Sequence, residues 1–452
     1  AVFDTVILGS NPSAPAKKME KLSKKITRIC KIKNFFFPFY KSKDIKKLFG
    51  ILEKNEELKS KNQQVAMFVG GCVRNFLKNE NINDIDIASI FSPQEIKEKF
   101  KNSGFKIIDS GIDHGSVTVI INSSKFEITT LRKDINADGR HAEVTFIGDW
   151  EQDSKRRDFT INAIYMDKRG KIYDPQNGRH DLKKSKIRFI GESSLRIEED
   201  YLRIIRFIRF SIHYNCKQSD SKVVESIKLN LNGIKNLSKE RILSELYKIF
   251  KLKNISNILE NKDIKDIFSI IFPEFKYLNR IEDLYFLINL NITPQTPEAI
   301  FAVLLVDEKD NFEYFCHKYK VSNKLKKELS FIASNYLKFK KEKNFFKKDL
   351  KKNIYRYEKK NIIKLIEFIY CAEKKISINI LKKIRSDIDK IEIPNFPFNG
   401  KYVMDRGIED GKKIGFALKE MEKEWIENNF NLNSQEAVSI ITKIKNLNIL
   451  NI

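Results

Sequence analysis

The chain has 452 residues, about three times the length of one ordinary domain, and a formal net charge of +25 with 41% hydrophobic and 11% aromatic residues. That apolar content excludes a disordered polycation, and the length excludes a mini-protein that needs staples to fold. A surplus this large favours a phosphate-bearing partner, with a solvated lysine-rich face as the plain alternative.

The first 60 residues, with 14 basic and 6 acidic side chains, read as a basic N-terminal extension. Within it, Ala1 to Lys18 lack the basic-then-apolar order of a secretory signal and are set aside from the fold. From Val65 to about Ile190, short β-rich runs (Val65 to Val69, Ile85 to Ala88, Ser116 to Ile121, Lys125 to Leu131, Ala163 to Met166) alternate with Gly, Asn and Asp. This predicts a mixed α+β domain over residues 61–190. Beyond about Arg196 apolar residues recur at helical spacing, as in Leu202, Ile205, Ile208, then Leu243, Leu246, Ile249, and later Leu350, Ile354, Ile362, Leu365. The second half is therefore predicted all-helical, with Pro- or Gly-bearing breaks at Asn291 to Pro297 and Asn395 to Gly400. The expected helical parts are residues 191–265, 266–395 and 396–452.

Charge is uneven along this order. Residues 61–190 are nearly balanced, with 22 basic and 18 acidic side chains, whereas residues 321–390 hold 21 basic and 8 acidic. Cys30, Cys72, Cys216, Cys316 and Cys371 are odd in number and form no C-x-x-C pair, which argues against a disulfide framework or a zinc site and fits a reducing compartment. No run approaches the ~18 apolar residues of a spanning helix, so no membrane partner is expected; the cytoplasm is the expected compartment, with organellar import, suggested by the basic start, as the alternative.

Four motifs carry chemistry. The strand Val65 to Val69 runs into Gly70-Gly71 and then Cys72-Val73-Arg74. Backbone N–H groups at such a turn can approach an anion, and Arg74 can fork onto phosphate oxygens, although a Gly-Gly turn before a helix is also a common structural device. In Asn83-Asp84-Ile85-Asp86-Ile87, residues i and i+2 of a strand share a face, so Asp84 and Asp86 set two carboxylates side by side. Hard oxygen ligands of that kind suit Mg²⁺; an exposed acidic edge is the other reading. Arg156-Arg157-Asp158-Phe159-Thr160-Ile161-Asn162 places arginines and amides where a triphosphate and ribose could bind. Finally, in Glu198 to Arg209, read as one helix, Glu199, Asp200, Arg203 and Arg206 fall on one arc with Arg209 at its edge. That face is either an ion-pair stripe or a set of donors and acceptors for a base edge.

In this order, with His114-Gly115-Ser116 between the second and third, these motifs resemble those of class II tRNA nucleotidyltransferases of the DNA polymerase β superfamily, which hold CCA-adding enzymes and bacterial poly(A) polymerases. The resemblance covers about Val65 to Phe210; farther on, Gly400, Asp405, Gly407, Gly411 and Gly415 are similar to the family's tail pattern. It implies an α+β nucleotidyltransferase head, a mixed β-sheet with helices, followed by an all-α neck, body and tail. It further implies that Asp84 and Asp86 are catalytic and hold Mg²⁺, and that Gly71, Arg74 and Arg157 hold the triphosphate. By the same resemblance Asp200 and Arg203 pair with the Watson–Crick edge of CTP or ATP, and Arg206 and Arg209 complete that pocket. Cytosine and adenine both offer an amino group beside a ring acceptor, whereas guanine and uracil reverse that order.

The implied activity is addition of C, C and A to a tRNA 3′ end. Poly(A) polymerase activity and a noncatalytic RNA-binding role are the alternatives. Enzymes of the family that add only CC tend to lack a loop that Leu131 to His141 retains here, charged and glycine-containing. Asn75 stands where the family most often has Asp, which leaves a turn role and removes a metal role. Glu127, in the strand Phe126 to Leu131, is either a third carboxylate or a paired strand residue.

Overall fold

The computed structural model describes residues 38–54, 64–111, 115–137, 142–342, 344–373 and 376–446. Most of the expected N-terminal extension, His114, Gly139 to His141 and Cys30 lie outside them. The chain forms two compact units, one running to Ile300 and taking in Phe315–Val321, the other comprising Phe301–Tyr314 and the residues from Ser322 onward.

The first unit contains a mixed sheet of seven strands in the order β3-β4-β5-β2-β1-β8-β9. The strands are β1 Ala66–Val69, β2 Ile85–Ser89, β3 Lys106–Gly111, β4 Ser116–Ile121, β5 Ser124–Thr130, β8 Tyr165–Met166 and β9 Ile172–Tyr173. Among the described residues only β2 and β5 pair in parallel; β1 pairs antiparallel with β2 and β8. All four residues of β1 are buried, as befits a central strand covered on both faces. Strand β5 instead alternates, with Phe126 and Ile128 inward and Lys125 and Glu127 exposed.

A helix over Lys43–Leu52, started by the Ser42 side chain accepting from Ile45 N, buries Ile45, Leu48, Phe49 and Leu52. Its Phe49 ring lies 5.0 Å from that of Phe68 in β1. The described part of residues 1–60 therefore packs on the head.

Strands were legible where β-branched residues cluster and illegible where they do not. Polar β3 and the ribbon of β6 (Arg132–Ala137) and β7 (Ala142–Phe146) gave no apolar alternation. The stretch read as a loop from Leu131 to His141 is thus largely strand, since β6 pairs antiparallel with β7 from Arg132↔Phe146 to Ala137↔Ala142. The expected strand from Ala163 to Met166 shrinks to Tyr165–Met166, because Thr160–Asn162 closes a 3₁₀ turn with Ala163 at its end.

From Ser193 onward the first unit is helical, as predicted. The second unit is helical too, with helices over Asn323–Lys341, Leu350–Tyr357, Lys359–Ala372 and Ile378–Lys390, then Gly400–Met404, Gly411–Glu427 and Ser434–Lys445. Val403, Ala417, Met421, Trp425, Ala437 and Ile441 form the core of its last part. Both predicted breaks fall between helices: Arg280–Asn289 gives way to Pro297–Leu305, and Ile378–Lys390 to Gly400–Met404.

Candidate active site

Strand β1 delivers the chain into Gly70, whose φ of +71° is open to glycine and strained for other residues. Gly71 then starts the helix Gly71–Lys78. A Cβ built on Gly70 would lie 3.8 Å from Asp86 Oδ2, and one on Gly71 would lie 3.9 Å from Arg74 Nη2. The glycine turn, the Asp-x-Asp strand and the first-turn arginine, separate motifs along the chain, thus meet in one place. Cys72 tightens the meeting, donating its thiol to Val69 O at 3.3 Å and to Asp86 O at 3.6 Å. Burial, helped by the nearby Asp86 carboxylate, pushes that thiol up to about 12.

Asp84 is exposed just before β2 and Asp86 is half-buried within it. Asp86 stands in register with Glu127 of β5, so the two side chains project from the same face. Burial first, then Glu127, then Asp84 raise the Asp86 carboxyl to about 6, while Arg157 and Arg74 pull it down. Three carboxylates in mutual repulsion beside two guanidinium groups fit a divalent cation, which would relieve the repulsion. Among the described residues, no group of three or more metal-ligating side chains closes around a point. A divalent cation held by one or two of these carboxylates, with its remaining ligands from outside the chain, fits this donor set. Glu127 joins through its charge, a contribution visible only once strand register is known.

Because folding raises the Asp86 pKa, its contribution to stability is full below the ordinary carboxylate range near 4 and is lost as pH rises through about 6. Asp86→Asn should then raise the Tm of metal-free protein at pH 7.5 by roughly 2–5 °C and leave it unchanged at pH 4. An equal gain at both pH values, measured by circular dichroism melts, would contradict this.

Each arginine of the site is anchored. Arg74 donates from Nε to Tyr214 Oη at 2.6 Å and from Nη1 to Asn162 Oδ1, and its guanidinium lies 4.9 Å from the Phe210 ring. Arg157 pairs with fully buried Asp153 at 3.0 Å and donates to Tyr165 Oη. Arg206 pairs with Asp158 at 2.6 Å and Arg209 with Glu245 at 2.7 Å. Asn162 links two of these groups, because it also donates to Asp158 Oδ1 at 2.7 Å. Asn75 Nδ2 donates to Asn81 O at 2.9 Å, beyond the C-terminal end of the helix Gly71–Lys78.

The stretch from Glu198 to Arg209 is not one helix. The first helix, Ser193–Glu199, stops at Asp200, whose extended backbone (φ −158°, ψ 102°) separates it from a second helix, Leu202–His213. The arc expected for Glu199, Asp200, Arg203 and Arg206 is therefore interrupted at Asp200, although Glu199 still meets Arg203 across the break. Asp200 Oδ1 accepts from Leu202 N at 3.1 Å, a local bond that competes with continued helix. Arg203 Nη1 donates to Glu199 Oε2 and to Arg196 O, both at 2.6 Å. Glu245, Arg241 and Tyr214 gave no signal in the sequence, since their partners lie tens of residues away; Asp153 gave none because its spacing to Arg156 and Arg157 is that of an ordinary helix ion pair.

Residues 66–188 match the family described as Poly A polymerase head domain, and residues 220–278 match the one described as Probable RNA and SrmB- binding site of polymerase A. A relative named CCA tRNA nucleotidyltransferase 1, mitochondrial, from Danio rerio is 30% identical over 404 residues, spanning 86% of this chain and 89% of its own. The chain belongs to the CCA tRNA nucleotidyltransferase family. Another member, the CCA-adding enzyme of Streptococcus uberis, is 30% identical over 373 residues and covers 80% of this chain and 89% of its own. The family fold is also seen in a solved structure, the Bacillus stearothermophilus CCA-adding enzyme in complex with CTP. It aligns with a TM-score of 0.67 at 24% identity, over 89% of this chain and 98% of that one.

Proposed function

We propose that this chain is a template-independent CCA-adding tRNA nucleotidyltransferase that adds C, C and A to the tRNA 3′ end from CTP and ATP, releasing pyrophosphate. The observation that carries this reading, in a chain of this family, is the approach of the Gly70-Gly71 turn to the Asp86 carboxylate, with Arg74 beside it. Nucleotidyl transfer needs a phosphate grip next to a carboxylate pair.

In the proposed reaction the tRNA 3′-hydroxyl oxygen attacks the α-phosphorus, the bond to the β-phosphate oxygen breaks, and the hydroxyl proton is lost. Mg²⁺ held by Asp84 and Asp86 would supply Lewis acidity, favouring the ionised hydroxyl and offsetting charge on the departing pyrophosphate. Gly71 N–H and the Arg74 guanidinium would hold the triphosphate, and Arg157, whose charge already reaches Asp86, would add to the field. Asp200 would accept from the base amino group and Arg203 would donate to the ring nitrogen. Among the described residues, Arg203 uses Nη1 for both of its bonds, which leaves Nε and Nη2 for a base. Arg206 and Arg209, tied to Asp158 and Glu245, would form the pocket wall.

The finer division proposed is a head over 61–190, a neck over 191–265, a body over 266–395 and a tail over 396–452. No helix among the described residues is long and apolar enough to cross a membrane. The proposed compartment is the cytoplasm, or an organelle with its own tRNA pool, as the names of mitochondrial relatives suggest. The decisive assay incubates the protein with tRNA lacking its CCA end, Mg²⁺ and labelled nucleotides singly and in pairs. CTP alone should add C residues, and CTP with ATP should stop after one terminal A. Long A tracts would make it a poly(A) polymerase, and tRNA binding without turnover a noncatalytic RNA-binding protein.

The surplus charge of residues 321–390 is proposed to grip the tRNA backbone. Lys324, Lys326, Lys327, Lys382 and Lys383 are all exposed. Replacing these five with Gln should raise the tRNA KM and flatten the dependence of log KM on log salt, with the CTP KM unchanged. An unaltered salt slope would return these lysines to ordinary solvated surface.

A further inference from the structure

Asp200 has an unusual duty for a residue outside regular structure. Its extended backbone lies between two helices, and the following residue, Tyr201, is seated where a Cβ on Gly233 would collide with its ring. The carboxylate itself is held at both oxygens: Oδ1 by Leu202 N at 3.1 Å and Oδ2 by Arg241 Nη2 at 2.8 Å. Arg241 comes from a separate helix, Lys239–Phe250, which is started by Ser238 and fixed by buried Ile242 and Leu246. That ion pair is partly shielded, with side-chain exposures of 29% and 19%.

We propose that Arg241 is a specificity-determining positioning residue, aiming the Asp200 carboxylate so that it accepts from the amino group of cytosine or adenine and repels the carbonyl oxygen of uracil or guanine. This inference rests on the base-reading role proposed for Asp200. One chemical fact supports it: a carboxylate oxygen has two lone pairs, so Oδ2 can accept from Arg241 and from a base amino group together. Arg241 thus sets the direction of the reading group without touching the nucleotide.

The test measures single-nucleotide incorporation, kcat and KM separately, for CTP and UTP on tRNA lacking CCA and for ATP and GTP on tRNA ending in CC. Arg241→Ala should reduce CTP-over-UTP and ATP-over-GTP discrimination by about tenfold, mostly through the KM of the correct nucleotide. Arg241→Lys should recover part of it. In an Asp200→Asn background, which has already lost the carboxylate, Arg241→Ala should cost nothing further in discrimination. If Asp200→Asn itself leaves discrimination intact, the base-reading assignment falls and the proposal with it. If Asp200→Asn abolishes discrimination while Arg241→Ala changes only the Tm, or the two effects simply multiply, the assignment stands and the positioning role is overturned. Melting curves for every variant separate misfolding from misaiming.

Discussion

Asp86→Asn is expected to lower the kcat for nucleotide addition by roughly 10³-fold or more, because a metal-holding carboxylate supplies several kcal/mol of transition-state charge stabilisation. Binding of tRNA should persist, since the basic stretch proposed to hold it lies elsewhere in the chain. Gel-shift and single-turnover assays on one preparation read the two properties apart. Glu127→Gln makes an informative comparison. It stands in register with Asp86 but is exposed, and its influence is exerted through the Asp86 pKa, so its effect on kcat should be much smaller. If Asp86→Asn retained more than about a tenth of wild-type turnover, the metal role of this pair would have to be abandoned.

The largest expected stability effect lies at Asp153. Its fully buried carboxylate receives Arg156 Nε at 2.7 Å, Arg157 Nη2 at 3.0 Å and the Tyr165 hydroxyl at 2.6 Å. Those arginines and the tyrosine hydroxyl hold its carboxyl far below the usual carboxylate range despite burial. Asp153→Ala leaves two poorly exposed guanidinium groups without their counter-ion, a loss of about 3–5 kcal/mol. For a unit of this size that corresponds to a Tm drop of roughly 10 °C. Removing the same charge by acid has the same direction: a depressed carboxyl contributes stability above its ordinary range, and this is lost as pH falls below about 4. Asp158, held at about 2 chiefly by Arg206, adds to the same acid window. A Tm for Asp153→Ala within 2 °C of the parent, measured by calorimetry at pH 7, would show that the arginines find other partners.

The carboxylate pair, the glycine turn and the first-turn arginine were legible in the sequence because each is local: a strand period, a turn residue, a helix start. Their approach to one another was not, because it depends on the antiparallel pairing of Phe68 with Ile87, which no local spacing encodes. Glu127 stayed ambiguous for the same reason until its register with Asp86 was known. The stretch from Glu198 to Arg209 misled because a run of helix formers conceals a break set by one side-chain bond, from Asp200 to Leu202 N. The arginines expected to await phosphate each have a protein partner, and two of the carboxylates, Asp153 and Glu245, sit on helices where their spacing reads as ordinary amphipathic surface.

The helix Leu202–His213 has a mechanical consequence. It is 12 residues, about 18 Å, long, with Asp200 and Arg203 at one end and Tyr214, which holds Arg74, at the other. A helix of that length does not stretch, and close-packed Phe207, Ile208 and Phe210 keep it from sliding independently of its surroundings. On the proposed assignment, the group that tests a base and the group that clasps its phosphates would therefore be held at a fixed separation by one rigid helix.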